Sequence, residues 1–224
     1  MQVVITVALD RSPTAEELAS ARRTAIAVRD SNEDDKYLLP AAQFVVDIAQ
    51  QALLDKYKTH ERTEGTAGYP PRDKVQTVED GDKVSVVRDP VPPEVQSAIA
   101  ARDEFIQRVP PAADSSKNAD LFAFQAADYY FLYGQFDDAR KRFDPIYKEQ
   151  CGKTEYGYRA WERLTTMSNL DNNVEQSRQL AEAALAKSCA ISDEQRLKEG
   201  DIARPTISRG YYIDAAAAFE KAAK

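Results

Sequence analysis

His60 is the single histidine of the chain, and Cys151 and Cys189 are its two cysteines. Histidine carries most proton transfer near neutral pH and is the commonest zinc ligand. One copy removes most metal sites and most His-based catalysis. The cysteines form no Cys-x-x-Cys pair, and a zinc site would need two more ligands that the sequence does not obviously supply. Glu33-Asp34-Asp35 concentrates carboxylates, but three consecutive acids on a loop read as solvated charge. No G-x-G, G-x-x-x-x-G-K or G-x-S-x-G is present, so phosphate cradles and nucleophile elbows fail by inspection. The residue types point to no enzyme, no cofactor and no metal.

Composition bounds what must position these residues. The chain has 224 residues, of which 43% are hydrophobic and 30% charged. Glycine is scarce at 8 residues while Ala, Glu, Asp, Lys, Arg and Gln abound, a balance that favours helix. Thirty basic residues against 37 acidic ones leave a net charge of −7. That offers little to a phosphate backbone, and the longest basic run is Arg140-Lys141-Arg142. No nucleic-acid partner is expected. Membrane insertion is not expected either, because no run approaches about 18 apolar residues. The apolar run Val3–Leu9 lacks a preceding basic region, so it does not read as a secretory signal.

Along the chain, 1–35 reads as an N-terminal helix and loop. Its helix opens either with Pro13 in the first turn or with Thr14 and Glu17 as a capping box. Residues 37–57 carry apolar stripes through Phe44, Ile48 and Ala52 and through Ala41, Val45, Ala49 and Leu53. Residues 58–93 are broken by Gly65, Gly68, Pro70, Pro71, Pro90, Pro92 and Pro93. Within that insertion, β-branched residues flank Asp80-Gly81 and predict a hairpin. Helix is expected again over 94–108, through Val95, Ile99, Phe105 and Ile106, and from about Lys117 onward.

The last hundred residues repeat themselves. Gly134-Gln-Phe136-Asp-Asp-Ala139-Arg-Lys-Arg-Phe143 matches Gly210-Tyr-Tyr212-Ile-Asp-Ala215-Ala-Ala-Ala-Phe219, and the two lie 76 residues apart, twice 38. Midway stands Asn172-Asn-Val174-Glu-Gln-Ser177-Arg-Gln-Leu-Ala181, with weaker residues. Glycine or asparagine suits a left-handed turn between two helices. The small residue permits close helix approach, and the aromatic four positions on fills the groove on the same face.

This pattern resembles the tetratricopeptide repeat, a helix–turn–helix unit of about 34 residues. Trp161, Leu164 and Tyr130 match its first-helix positions, and Ala139, Ala215, Phe143 and Phe219 its second-helix positions. Thr165 departs from the usual small residue, Pro205 interrupts the third unit, and the middle unit lacks the aromatic. The resemblance implies an all-α fold: an α-solenoid of helical hairpins forming one domain over 1–224. Three units cover 118–224, and a split hairpin pairs 36–57 with 94–108 around the insertion. It further implies a non-enzymatic scaffold that binds protein segments on a concave surface. Phe124, Asp128 and Phe131 would line that groove, with Arg159, Glu162 and Arg163 in the next unit and Arg204 in the third. The aromatic helix Phe122, Phe124, Tyr129, Tyr130, Phe131, Tyr133 wraps more than one face, so part of it should be exposed. An acidic Asp128 where the family's carboxylate clamp has a basic or amide residue argues against a chaperone-tail ligand.

Lys36–Gln51 and Cys151–Ala190 are similar in texture to repeat proteins of the envelope-associated gliding-motility and assembly machinery of delta-proteobacteria. That similarity implies a periplasmic location. The alternative is a cytoplasmic regulatory or chaperone-associated module. A helical enzyme or ligand-binding domain with its site at the insertion is a third reading. Cys151 and Cys189 follow the second helices of successive units. They either bridge, if the loops bring their Cα atoms within about 7 Å, or stand as two thiols. A bridge would indicate an oxidising compartment. The proposed last helix, 212–222, is apolar on more than one side. It suggests a cut array or an end-to-end homodimer.

Overall fold

The computed structural model describes residues 14–31, 35–64, 74–81 and 83–185. Among these lie seven α-helices and one two-stranded antiparallel sheet, so the chain is mostly helical. The helices are α1 (Ala15–Arg29), α2 (Leu38–Glu64), α3 (Pro93–Arg108), α4 (Asn118–Leu132), α5 (Phe136–Gln150), α6 (Glu155–Leu170) and α7 (Val174–Leu185). The strands are β1 (Thr77–Asp80) and β2 (Lys83–Val86). The chain divides into two compact units. The first comprises Met1–Asp73 with Val91–Ala126, the second Lys74–Pro90 with Ala127–Lys224.

In the first unit, α2 packs against both α1 and α3. α1 begins on the capping box: the Glu17 amide donates to Thr14 Oγ1 at 3.2 Å, and the Thr14 amide donates to Glu17 Oε2 at 2.7 Å. Two amides that a helix start leaves unpaired are thereby satisfied. Serving two neighbours, α2 buries Ala41, Ala42, Val45, Val46, Ile48, Ala49 and Leu53. Phe44 is only half-buried and Ala52 is exposed, so the first of the two expected stripes lies at the margin of the face. α2 also runs to Glu64, beyond the expected end at 57. On α3, Val95, Ile99 and Phe105 are buried as their spacing predicts, together with Ala98, Ala101 and Arg102, while Ile106 points out.

Two arginines are buried here. Arg29 holds Asp30 with Nε at 2.8 Å and Nη2 at 3.1 Å, and Glu104 with Nη1 at 2.7 Å. Its guanidinium sits above its ordinary pKa, chiefly through the Asp30 hydrogen bond. Arg102 reaches Gln125, the Ala98 carbonyl and Gln50 at 2.7–2.9 Å and lies over the Phe122 ring.

In the second unit, two helix–turn–helix segments follow one another. Gly134 turns α4 into α5 with φ 71°, and Asn172 turns α6 into α7 with φ 56°. Both φ values are left-handed, where glycine and asparagine carry the least strain. Across the first turn Phe131 stacks on Phe136, 5.7 Å between centroids, and Arg142 lies over Tyr130 at 5.2 Å. In the second pair the Trp161 indole N–H donates to the Leu180 carbonyl at 2.8 Å. α6 packs on both α5 and α7. Gly157 makes the first of these contacts close, because a Cβ there would run into the Gln150 carbonyl and the Cys151 amide.

Ala139, Phe143, Trp161 and Leu164 are all at most 1% exposed. Thr165, where the resemblance leads one to expect a smaller residue, donates its hydroxyl to the Trp161 carbonyl at 2.9 Å. Ser177, in the place of Ala139, is buried and donates to Asn169 Oδ1 at 2.8 Å. The corresponding third-unit residues, among them Gly210, Ala215, Phe219 and the helix over 212–222, lie outside the described residues.

The aromatic helix corrects one expectation. Phe122, Phe124, Tyr129, Phe131 and Tyr133 are all buried, and Tyr130 is half-buried. α4 serves two cores in succession: Phe122 meets Phe105 edge-on in the first unit at 4.9 Å, and Phe131 stacks on Phe136 in the second.

Candidate protein-binding surface

In the second unit, Asp128, Phe131 and Arg163 come together. Arg163 Nε donates to Asp128 Oδ1 at 2.6 Å, with Nη2 3.4 Å from Oδ2. The same guanidinium lies over the Phe131 ring, 4.7 Å from its centroid. One arginine thus bridges the last turns of α4 to the middle of α6, neutralising the carboxylate and covering the ring. The Asp128 carboxylate is satisfied by Arg163 rather than left to repel a ligand.

Arg159, Glu162 and Arg163 share one stripe of α6. Arg159 is exposed and ion-paired with Glu155 one turn earlier. Glu162 is half-buried, and its backbone carbonyl accepts the Thr166 hydroxyl at 2.9 Å. The stripe is therefore mixed in charge and locally balanced.

Phe131 is 3% exposed and Phe124, in the first unit, is 6% exposed. Both rings pack within the chain, so neither presents an open aromatic wall. Arg204 lies outside the described residues. Cys151 caps the C-terminus of α5 and is disulfide-bonded. Cys189 lies outside the described residues.

The spacing of residues gave no hint of a second node in this unit. Asp171, at the end of α6, accepts from Arg140 Nη2 at 2.7 Å and from Arg88 Nη2 at 3.3 Å. Arg140 also lies over the Phe136 ring. Arg88 leaves the β-hairpin, and its neighbour Asp89 donates its amide to the Tyr133 carbonyl at 3.0 Å. Gln135 Nε2 donates to the Asp89 carbonyl at 2.7 Å. The hairpin is thus seated on the α4–α5 turn and the end of α6. The run Arg140-Lys141-Arg142 is engaged residue by residue, by Asp171, by Asp138 and by the Tyr130 ring.

Among the described residues, no cluster of three or more His, Cys, Asp or Glu side chains is arranged to hold a metal ion. No described helix is long and apolar enough to cross a membrane. No family model, no curated protein and no solved structure matches the chain.

Proposed function

We propose that the chain is a non-enzymatic scaffold of tetratricopeptide-like hairpins whose α6 surface binds segments of partner proteins. The observation that carries this reading is the equivalence of two consecutive hairpins. Their left-handed turn residues, Gly134 and Asn172, stand 38 positions apart. The small residues five positions later, Ala139 and Ser177, are both buried at 2% exposure or less. A repeated hairpin with a mixed-charge first-helix stripe offers an extended polar surface without a reactive group. The oxidised state of Cys151 supports a place in an oxidising compartment such as the periplasm,, which fits a role in an envelope machine of the gliding-motility kind.

The test is quantitative partner recovery from the source cells with Arg159→Glu, whose side chain is exposed. Phe124→Ala and Phe131→Ala are unsuitable because they would empty buried positions. Selective loss of specific partners, with an unchanged circular-dichroism melt, supports the reading. An identical partner set overturns it.

A further inference from the structure

Two of the five large apolar residues that stand exposed among the described residues, Val78 and Val84, belong to the β-hairpin. Every residue of β1 is exposed. The strands pair in the register Thr77↔Val86, Val78↔Ser85, Glu79↔Val84 and Asp80↔Lys83. The Val87 amide donates to the Gln76 carbonyl at 2.9 Å. Antiparallel ladders alternate bonded and non-bonded pairs, so Val78 and Asp80 spend their backbone groups on β2. Thr77 and Glu79 turn theirs outward along the edge of β1 that pairs with no other strand among the described residues. The hairpin's base is fixed by Arg88, Asp89 and Gly134, where a Cβ would collide with the Val87 carbonyl.

We propose that the outer edge of β1 accepts an extended segment of another protein as a third strand. The segment carries Lys or Arg against Glu79 and Asp80 and a β-branched residue beside Val78. Edge addition supplies affinity through backbone hydrogen bonds and selectivity through alternate side chains. A seated strand loses little freedom on pairing, which lowers the cost of binding. Glu79, whose register partner is the uncharged Val84, chooses the occupant, while Asp80 stands opposite Lys83. The Glu79 carboxylate works against pairing with the same edge of a second copy and attracts a basic strand. This surface is separate from the α6 stripe and does not depend on it.

The probe is the peptide Thr-Lys-Val-Lys-Val-Lys-Thr, titrated into the isotope-labelled full chain, with a version bearing Glu for Lys as control. The lysine peptide is expected to shift the amides of Thr77–Asp80 and to slow hydrogen exchange at Thr77 and Glu79. The glutamate peptide is not. Glu79→Pro deletes one outward donor while sparing the inner ladder, and weakens binding at least about tenfold. Glu79→Lys/Asp80→Lys transfers preference to the glutamate peptide. Arg159→Glu leaves the titration unchanged. Equal response to both peptides, or full affinity in Glu79→Pro with the hairpin intact, overturns the proposal. So do the same shifts arising from protein concentration alone, which would mark self-pairing.

Discussion

The indole N–H of Trp161 donates to the main-chain carbonyl of Leu180 at 2.8 Å, a buried bond between two antiparallel helices. The ring also packs against Tyr158, with centroids 5.6 Å apart. One side chain therefore fixes both the spacing and the register of α6 and α7.

Trp161→Phe removes that donor and part of the ring volume. The lost hydrogen bond and the residual cavity together should cost about 2–3 kcal/mol. A urea melt should show a lower midpoint with an unchanged slope.

Glycine turns of similar φ should respond differently to the same substitution. Gly81 has φ 60° and open space around it, whereas Gly134 has φ 71° and the Val87 carbonyl against its Cα hydrogen. Gly81→Ala should cost about 1 kcal/mol, the ordinary left-handed penalty. Gly134→Ala adds a backbone collision and should cost roughly twice that or more. Equal melting shifts for the two variants would contradict the close approach.

Arg29 and Asp30 make stability depend on pH. The Arg29 hydrogen bond holds the Asp30 carboxyl below its ordinary value of 3.8. Folding then favours the charged form, so the contribution is full above that value and drains away as pH falls through the folded-state pKa. Asp30→Asn should lower the urea midpoint near neutral pH and converge with the parent chain in strong acid. A gap that persists or widens in acid would show that another group is responsible.

The bond at Cys151 yields a chemical prediction. The chain has one other cysteine, Cys189. It is therefore the only residue of the same chain that can complete the bridge. Closing a loop on the order of forty residues should stabilise the second unit by about 4 kcal/mol in the chain-entropy model. Non-reducing peptide mapping should recover the linked pair, and Cys151→Ser should lower the melting temperature. Two free thiols after aerobic purification would refute the pairing.

Local chemistry made much of this architecture readable. Thr14 and Glu17 announce a helix start within four residues, and Asp80-Gly81 between β-branched residues announces a hairpin. Gly134, Ala139, Phe143, Trp161 and Leu164 carry the hairpin pattern in their types and spacing, and the structure buries each of them. What escaped depends on distant partners. Phe124 and Phe131 look free on a helical wheel, because the wheel does not show that α4 contributes to two cores in turn. Asp171 looks like an ordinary turn residue until Arg140 and Arg88, the latter 83 positions away, converge on it. The stripe through Arg159, Glu162 and Arg163 was legible as a helix face. The Arg163–Asp128 pairing, which balances its charge, was not.

The division of the chain into interleaved stretches has a consequence for its biosynthesis. The β-hairpin ends at Val86, yet its seat is made by Tyr133, Gln135 and Asp171. During translation the hairpin leaves the ribosome first and waits unseated. The first unit has all its residues once Ala126 emerges, and its core can close before the second unit is complete. Folding of the second unit then has to collect a strand pair made many residues earlier. A stop or truncation between Ala126 and Asp171 would leave the first unit whole and the hairpin without its full mooring, a species for quality-control proteases to find.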